Sequence, residues 1–201
     1  MSGTTLAARA EHALTIKHSR FLAQATSVGS PEAALAFIAG IGDPAATHNC
    51  WAYRIGTLYR FSDDNEPAGT AGRPILAAID GQGLDQVVAV VTRWYGGIKL
   101  GAGGLMRAYG GSAAECLRCA PRTELIEYVD CELAFGFADT GSVHAALDAH
   151  AAIRLDEHFS AEGTRLSVRL RADRRDALQE QLRDATRDRA RLAASTTPRP
   201  A

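Results

Sequence analysis

The alternation of apolar and polar positions changes period several times along the chain, and each change marks an element. Residues 12–16 and 21–25 are short strand candidates on either side of the polar link Lys17-His18-Ser19-Arg20. Ser30-Pro31-Glu32 has the form of a helix start, with a hydroxyl to cap it, proline in the first turn and an acid near the positive end of the dipole. Leu35, Ile38 and Ile41 give this helix an apolar stripe, and Gly40, Gly42 and Pro44 stop it. Residues 50–55 predict a strand, with 59–61 pairing back on it. A polar loop at 62–72 precedes a helix over 73–79 with Pro74 near its start. Val87-Val88-Ala89-Val90-Val91 predicts a buried strand. The next helix carries Leu105, Ala108, Ser112, Ala113, Cys116 and Leu117 on one face, and Pro121 ends it.

A second unit begins near Thr123. Leu125, Val129, Cys131, Leu133, Phe135 and Phe137 alternate with mostly polar residues, the pattern of a half-buried strand. Asp139-Thr140 can cap a helix whose apolar face is Val143, Ala146, Leu147 and His150. Residues 152–159 suggest another strand, and Leu166, Val168 and Leu170 then alternate with Arg165, Ser167, Arg169 and Arg171. Asp173 caps a last helix with Leu178 and Leu182 inward, and the charged segment after it is a candidate fourth strand. Strand, helix, strand, strand, helix, strand is the order of a ferredoxin-type split β-α-β sheet. The expected division is residues 1–122, residues 123–195 and a disordered tail at 196–201.

Length and composition narrow this only slightly. With 201 residues, 46% hydrophobic and 22% charged, the chain is ordinary for a soluble globular protein of one or two domains. A net charge of −1 gives no global argument for nucleic acid. No apolar run approaches the ~20 residues that span a bilayer, and the N-terminus does not read as a signal peptide. The chain is therefore expected in the cytoplasm, away from membranes, with its four cysteines as thiols.

The densest chemistry lies between Trp94 and Gly111, where seven glycines crowd the passage from a strand through a loop into a helix. Such a loop can expose unpaired N–H groups at the positive end of a helix dipole, which suits an anion. The candidates are Arg93, Gly96, Gly97, Lys99, Gly101, Gly103, Gly104 and Arg107, with glycine expected to be required at 103 for backbone geometry. A tight structural connection is the competing reading, and the spacing matches neither a P-loop nor a supported G-x-G-x-x-G. Asp63, Asp64 and Glu66 share one loop ahead of Arg73. They could hold Mg²⁺ beside a phosphate or exchange protons. They could equally cap backbone N–H groups and pair with Arg73 in a structural turn, the commoner use of short acidic loops. The spacing fails as a Ca²⁺ loop. His48-x-Cys50 with Cys116-x-x-Cys119 lacks the H-x-E and the proline of a zinc deaminase, and its C-x-x-C falls within a helix. No metal or cofactor is assigned. Arg165, Arg169 and Arg171 share one strand face, either a phosphate-contacting surface or a solvated one.

Four ordered stretches resemble the YigZ/IMPACT family: K-H-S-R-F-L-A (17–23), H-N-C-W-A-Y-R-I-G (48–56), S-D-D-N-E-P-A-G-T-A-G-R-P-I-L (62–76) and V-V-T-R-W-Y-G-G-I-K-L-G-A-G-G-L-M-R-A-Y (90–109). The resemblance implies an α+β protein, with a ribosomal protein S5 domain 2-like N-terminal domain followed by a ferredoxin-like C-terminal domain. It implies a non-catalytic regulator associated with translation that binds RNA, the ribosome or a protein partner, since eukaryotic relatives bind a ribosome-associated activator of a stress kinase. Asn65 and Ala68 stand where the family usually has Gly and Ser. The S5-like fold also hosts small-molecule kinases, so a phosphate-handling enzyme using the glycine loop with Mg²⁺ is the alternative. A protein-interaction module whose partner surface is the Trp51, Trp94 and Tyr95 side is another.

Overall fold

The computed structural model describes residues 3–194, and the tail expected to be disordered at 196–201 lies outside the described residues. The chain divides into two compact units that part between Leu125 and Ile126. In chain order the first contains β1 (Gly3–Leu6), β2 (Ala10–Ile16), β3 (Ser19–Ser27), α1 (Pro31–Ile41), β4 (His48–Ile55), β5 (Leu58–Ser62), α2 (Gly72–Gly81), β6 (Val87–Trp94), α3 (Ala102–Cys119) and β7 (Arg122–Leu125).

Five strands form an antiparallel sheet in the order β2-β3-β6-β4-β5. The apolar run of β6 has the central place, and it is apolar throughout because both of its faces are covered. Val87, Ala89 and Val91 pack with Ile75, Ile79, Tyr109 and Leu117 of α2 and α3. Val88 packs on the other face with Tyr53 and with Ala34 of α1. Ser30 caps α1 as expected, its hydroxyl accepting from the Ala33 N–H at 3.2 Å. The stripe of α1 is rotated, however. Ala34, Phe37 and Ile38 meet the sheet while Leu35 is exposed. A small residue at the contact lets the helix approach.

The break expected after residue 122 falls inside β7. That strand pairs antiparallel with β1, Gly3 opposite Leu125 and Leu6 opposite Arg122. Residues 122–125 therefore belong to the first unit. No sequence pattern assigned β1, because four residues are too few to show a period.

The second unit contains β8 (Tyr128–Phe135), α4 (Thr140–Ala149), β9 (Ile153–Ser160), β10 (Gly163–Arg171), α5 (Arg175–Thr186) and β11 (Arg191–Ala194). The sheet order β11-β8-β10-β9, antiparallel throughout, is the ferredoxin order. Cys131, Leu133, Phe135, Leu166, Val168 and Leu170 form the core with Val143, Ala146, Leu147, Leu178 and Leu182. Phe137 lies past the strand and is exposed. Neither expected aspartate cap forms. Asp139 accepts both guanidinium hydrogen bonds of Arg189, at 2.9 and 2.6 Å, which hold its carboxyl below the usual range. Asp173 pairs with Arg171, and α5 begins only at Arg175. The chain is α+β, S5 domain 2-like then ferredoxin-like. No helix among the described residues is long and apolar enough to cross a membrane.

Candidate functional site

The acidic loop links the edge strand β5 to α2, and its carboxylates turn towards the protein. Asp63 accepts the N–H groups of Gly69 at 2.8 Å, Ala71 at 3.0 Å and Gly72 at 2.8 Å. It supplies from upstream the acceptor that Ala71, at the N-cap of α2, lacks. Burial raises the Asp63 pKa, but these three hydrogen bonds and the nearby Arg73 charge outweigh it and hold the carboxyl below its ordinary value. Asp64 accepts from the Asn49 N–H at 2.5 Å, while its carbonyl meets His48 Nδ1 at 2.7 Å.

Glu66 is only 8% exposed. It accepts from Arg93 at 2.5 Å and from the Tyr109 hydroxyl at 2.7 Å, with His48 Nε2 at 3.6 Å. Arg93, 4% exposed, also reaches Ser19 Oγ at 3.3 Å and lies over the rings of Phe21 and Tyr95. Two charges this deep persist together because each cancels much of the other's desolvation. Arg93 and Glu66 are thus internal partners, not surface contacts for a ligand. The Cys50 thiol donates to the Asp63 carbonyl at 3.0 Å, and burial pushes its pKa up to about 12. Among the described residues no group of three or more His, Cys, Asp or Glu is placed to hold a metal ion. Cys50, Cys116, Cys119 and Cys131 are free thiols.

The glycine stretch has mixed uses. A Cβ on Gly96 would sit 2.0 Å from the His18 carbonyl carbon, so this glycine serves close packing, and its N–H donates to Ser19 Oγ at 3.1 Å. Gly97 and Gly101 adopt positive φ, 85° and 73°, that glycine reaches at no steric cost. Gly101 precedes α3 directly, without a side-chain cap and with no acid in the first turn. Gly103 does not fit the expectation of a required glycine, since nothing lies within 4 Å of an added Cβ. A Cβ on Gly104 would come 3.1 Å from Leu100 Cβ.

The first turns of α2 and α3 and the loop between Asp63 and α2 enclose a groove of about 680 Å³. Its walls include Gly69, Thr70, Arg73, Pro74, Met106 and Arg107. The fold therefore brings Arg73 and Arg107 together across one groove. It leaves Lys99, Gly96 and Gly97 outside the lining, although Lys99 is exposed. A second hollow of about 420 Å³ lies between β5 and α2, bordered by Arg54, Tyr59, Phe61, Leu76 and again Arg73. In the sequence pattern residues 59–61 read only as a strand. The aromatics that alternate around Arg60 are the sequence signal for this hollow, and the hairpin register sets Tyr59 opposite Arg54.

In the second unit Arg165, Arg169 and Arg171 do share a sheet face. Arg169 binds Asp130 through two hydrogen bonds of 2.7 and 2.8 Å, and Arg171 binds Asp173 at 2.7 Å. Arg165 is exposed and borders a cavity of about 450 Å³ with Phe135 and Phe159.

The model of the Impact N-terminal domain matches residues 17–117, half of the chain. The chain belongs to the IMPACT family. A second model, for a domain of unknown function (DUF1949), matches residues 133–189. A Thermus thermophilus relative, "IMPACT family member in pol 5'region", is 53% identical over 77% of this chain and 86% of its own length. IMPACT family member YigZ of Escherichia coli is 44% identical over 58% of this chain, which spans only 63% of that relative. A solved structure described as a hypothetical protein superposes with a TM-score of 0.71 at 33% identity, over 98% of both chains. The IMPACT segment contains the acidic loop, the glycine stretch and both grooves on α2.

Proposed function

We propose that this IMPACT family chain is a non-catalytic cytoplasmic regulator associated with translation, and that its first unit binds RNA through phosphate groups in the groove at the start of α3. One observation carries this reading. Arg73 and Arg107 converge on the groove, while the neighbouring carboxylates of Asp63 and Glu66 are engaged inside the protein. A phosphate-handling enzyme would need a carboxylate free to hold Mg²⁺ or to move a proton there. The uncapped start of α3 adds a partial positive charge to the two guanidinium groups. No cofactor enters this reading.

The test titrates full-length protein into a fluorescein-labelled short RNA and follows anisotropy. Arg107 is exposed, so Arg107→Ala should keep the fold. Loss of one charge-assisted contact should weaken binding roughly ten- to a hundredfold. Equal affinity in wild type and variant, or no RNA binding by wild type, defeats the reading.

A further inference from the structure

We infer that the ligand of the first unit is single-stranded nucleic acid, with a base stacked at Tyr59 in the hollow between β5 and α2 and adjoining phosphates at Arg73 and Arg107. The inference rests on the anion groove proposed above and adds what the strand presents to the neighbouring hollow. The two hollows share Arg73 and Ala77, so they adjoin one another along α2. Their volumes, about 680 and 420 Å³, are in the range that small ligand groups occupy.

The second hollow is built around flat groups. Asp80 grips Arg54 through Nε and through Nη2, the latter at 2.9 Å. The fixed guanidinium lies 5.4 Å from the centre of the Tyr59 ring, and Arg73 lies 5.7 Å from that of Phe61. Tyr59 nevertheless remains 55% exposed, an aromatic surface held in place and left open. Rings interleaved with arginines along a basic groove are what single strands use, because every base has a π-face to stack. A duplex keeps its bases stacked within itself and offers only its backbone. An acidic peptide would satisfy the arginines but leave the ring without a planar partner. The one carboxylate bordering this hollow, Asp80, is already neutralised by Arg54.

The experiment uses full-length wild type, Tyr59→Ala, Tyr59→Phe and Arg107→Ala, each checked for an unchanged thermal melt. A labelled ten-nucleotide oligouridylate RNA is the probe, competed with duplex RNA, inorganic polyphosphate and polyglutamate. Oligouridylate should bind tightest. Tyr59→Ala should lose about five- to a hundredfold on it yet bind polyphosphate as wild type does, and Tyr59→Phe should retain affinity. If Tyr59→Ala binds oligouridylate as wild type does, or duplex RNA or polyglutamate competes equally well, stacking at Tyr59 is overturned. The groove reading still stands in that case if Arg107→Ala weakens every polyanion. If Arg107→Ala changes nothing, or wild type does not bind oligouridylate, both fall.

Discussion

Asp63 organises the loop because one carboxylate satisfies three N–H groups that the start of α2 would otherwise leave unpaired. Asp63→Ala should therefore destabilise the first unit by about 2–3 kcal/mol, a fall in melting temperature of roughly 10 °C measurable by calorimetry. The pH dependence has a definite sign. The folded pKa lies below the ordinary value, so the Asp63 contribution is complete at neutral pH and fades as pH falls below about 3.9. In acid melts wild type and Asp63→Ala should converge, and a constant gap down to the lowest pH would refute this assignment. Glycine positions separate as sharply. Gly96→Ala must displace the His18 backbone and should cost about 1–3 kcal/mol or more. Gly103→Ala, in open space on α3, should be neutral or gain up to about 1 kcal/mol. Urea denaturation of the two variants checks the pair. The sequence supported a structural turn for Asp63, but it could not show that Glu66 turns inward. Its partners Arg93 and Tyr109 lie 27 and 43 positions away, and only the packing of β6 and α3 brings them together.

Elements with a long period were legible, and short ones were not. The apolar run of β6, the Ser30 cap of α1 and the alternation in β10 each carry several concordant signals. The β1–β7 ribbon offers four residues per strand, too few to tell a strand from a linker. It matters for stability, because Leu6 is buried in the main core and Thr5 Oγ1 donates to the Gln86 carbonyl at 3.1 Å. A fragment of residues 1–125 should thus melt cooperatively. One of residues 1–122 loses most of β7 and should melt several degrees lower, as circular dichroism would show. Equal melts would mean that β1 is held without its partner.

At the scale of the whole molecule, a net charge of −1 hides a local arrangement. The order of elements and the two-unit plan could be inferred from patterning and motifs, and so could the basic candidates. Which of them share a surface depends on the angle between α2 and α3, which no local pattern encodes. The structure selects Arg73 and Arg107. It leaves Lys99 outside the lining, and it neutralises Arg169 and Arg171 with Asp130 and Asp173.

Phosphate contact in the groove across α2 and α3 is what we propose for the first unit. The most direct measurement is the salt dependence of affinity for a short single-stranded RNA. Each phosphate contact to a single strand contributes a slope of about −0.7 in log K against log salt. Arg73→Ala/Arg107→Ala should flatten the wild-type slope by about 1.4, while Arg165→Ala/Arg169→Ala/Arg171→Ala should leave it unchanged. An unchanged slope in the double variant, with the loss appearing in the triple variant, would contradict the account and move the phosphate contacts to the second unit.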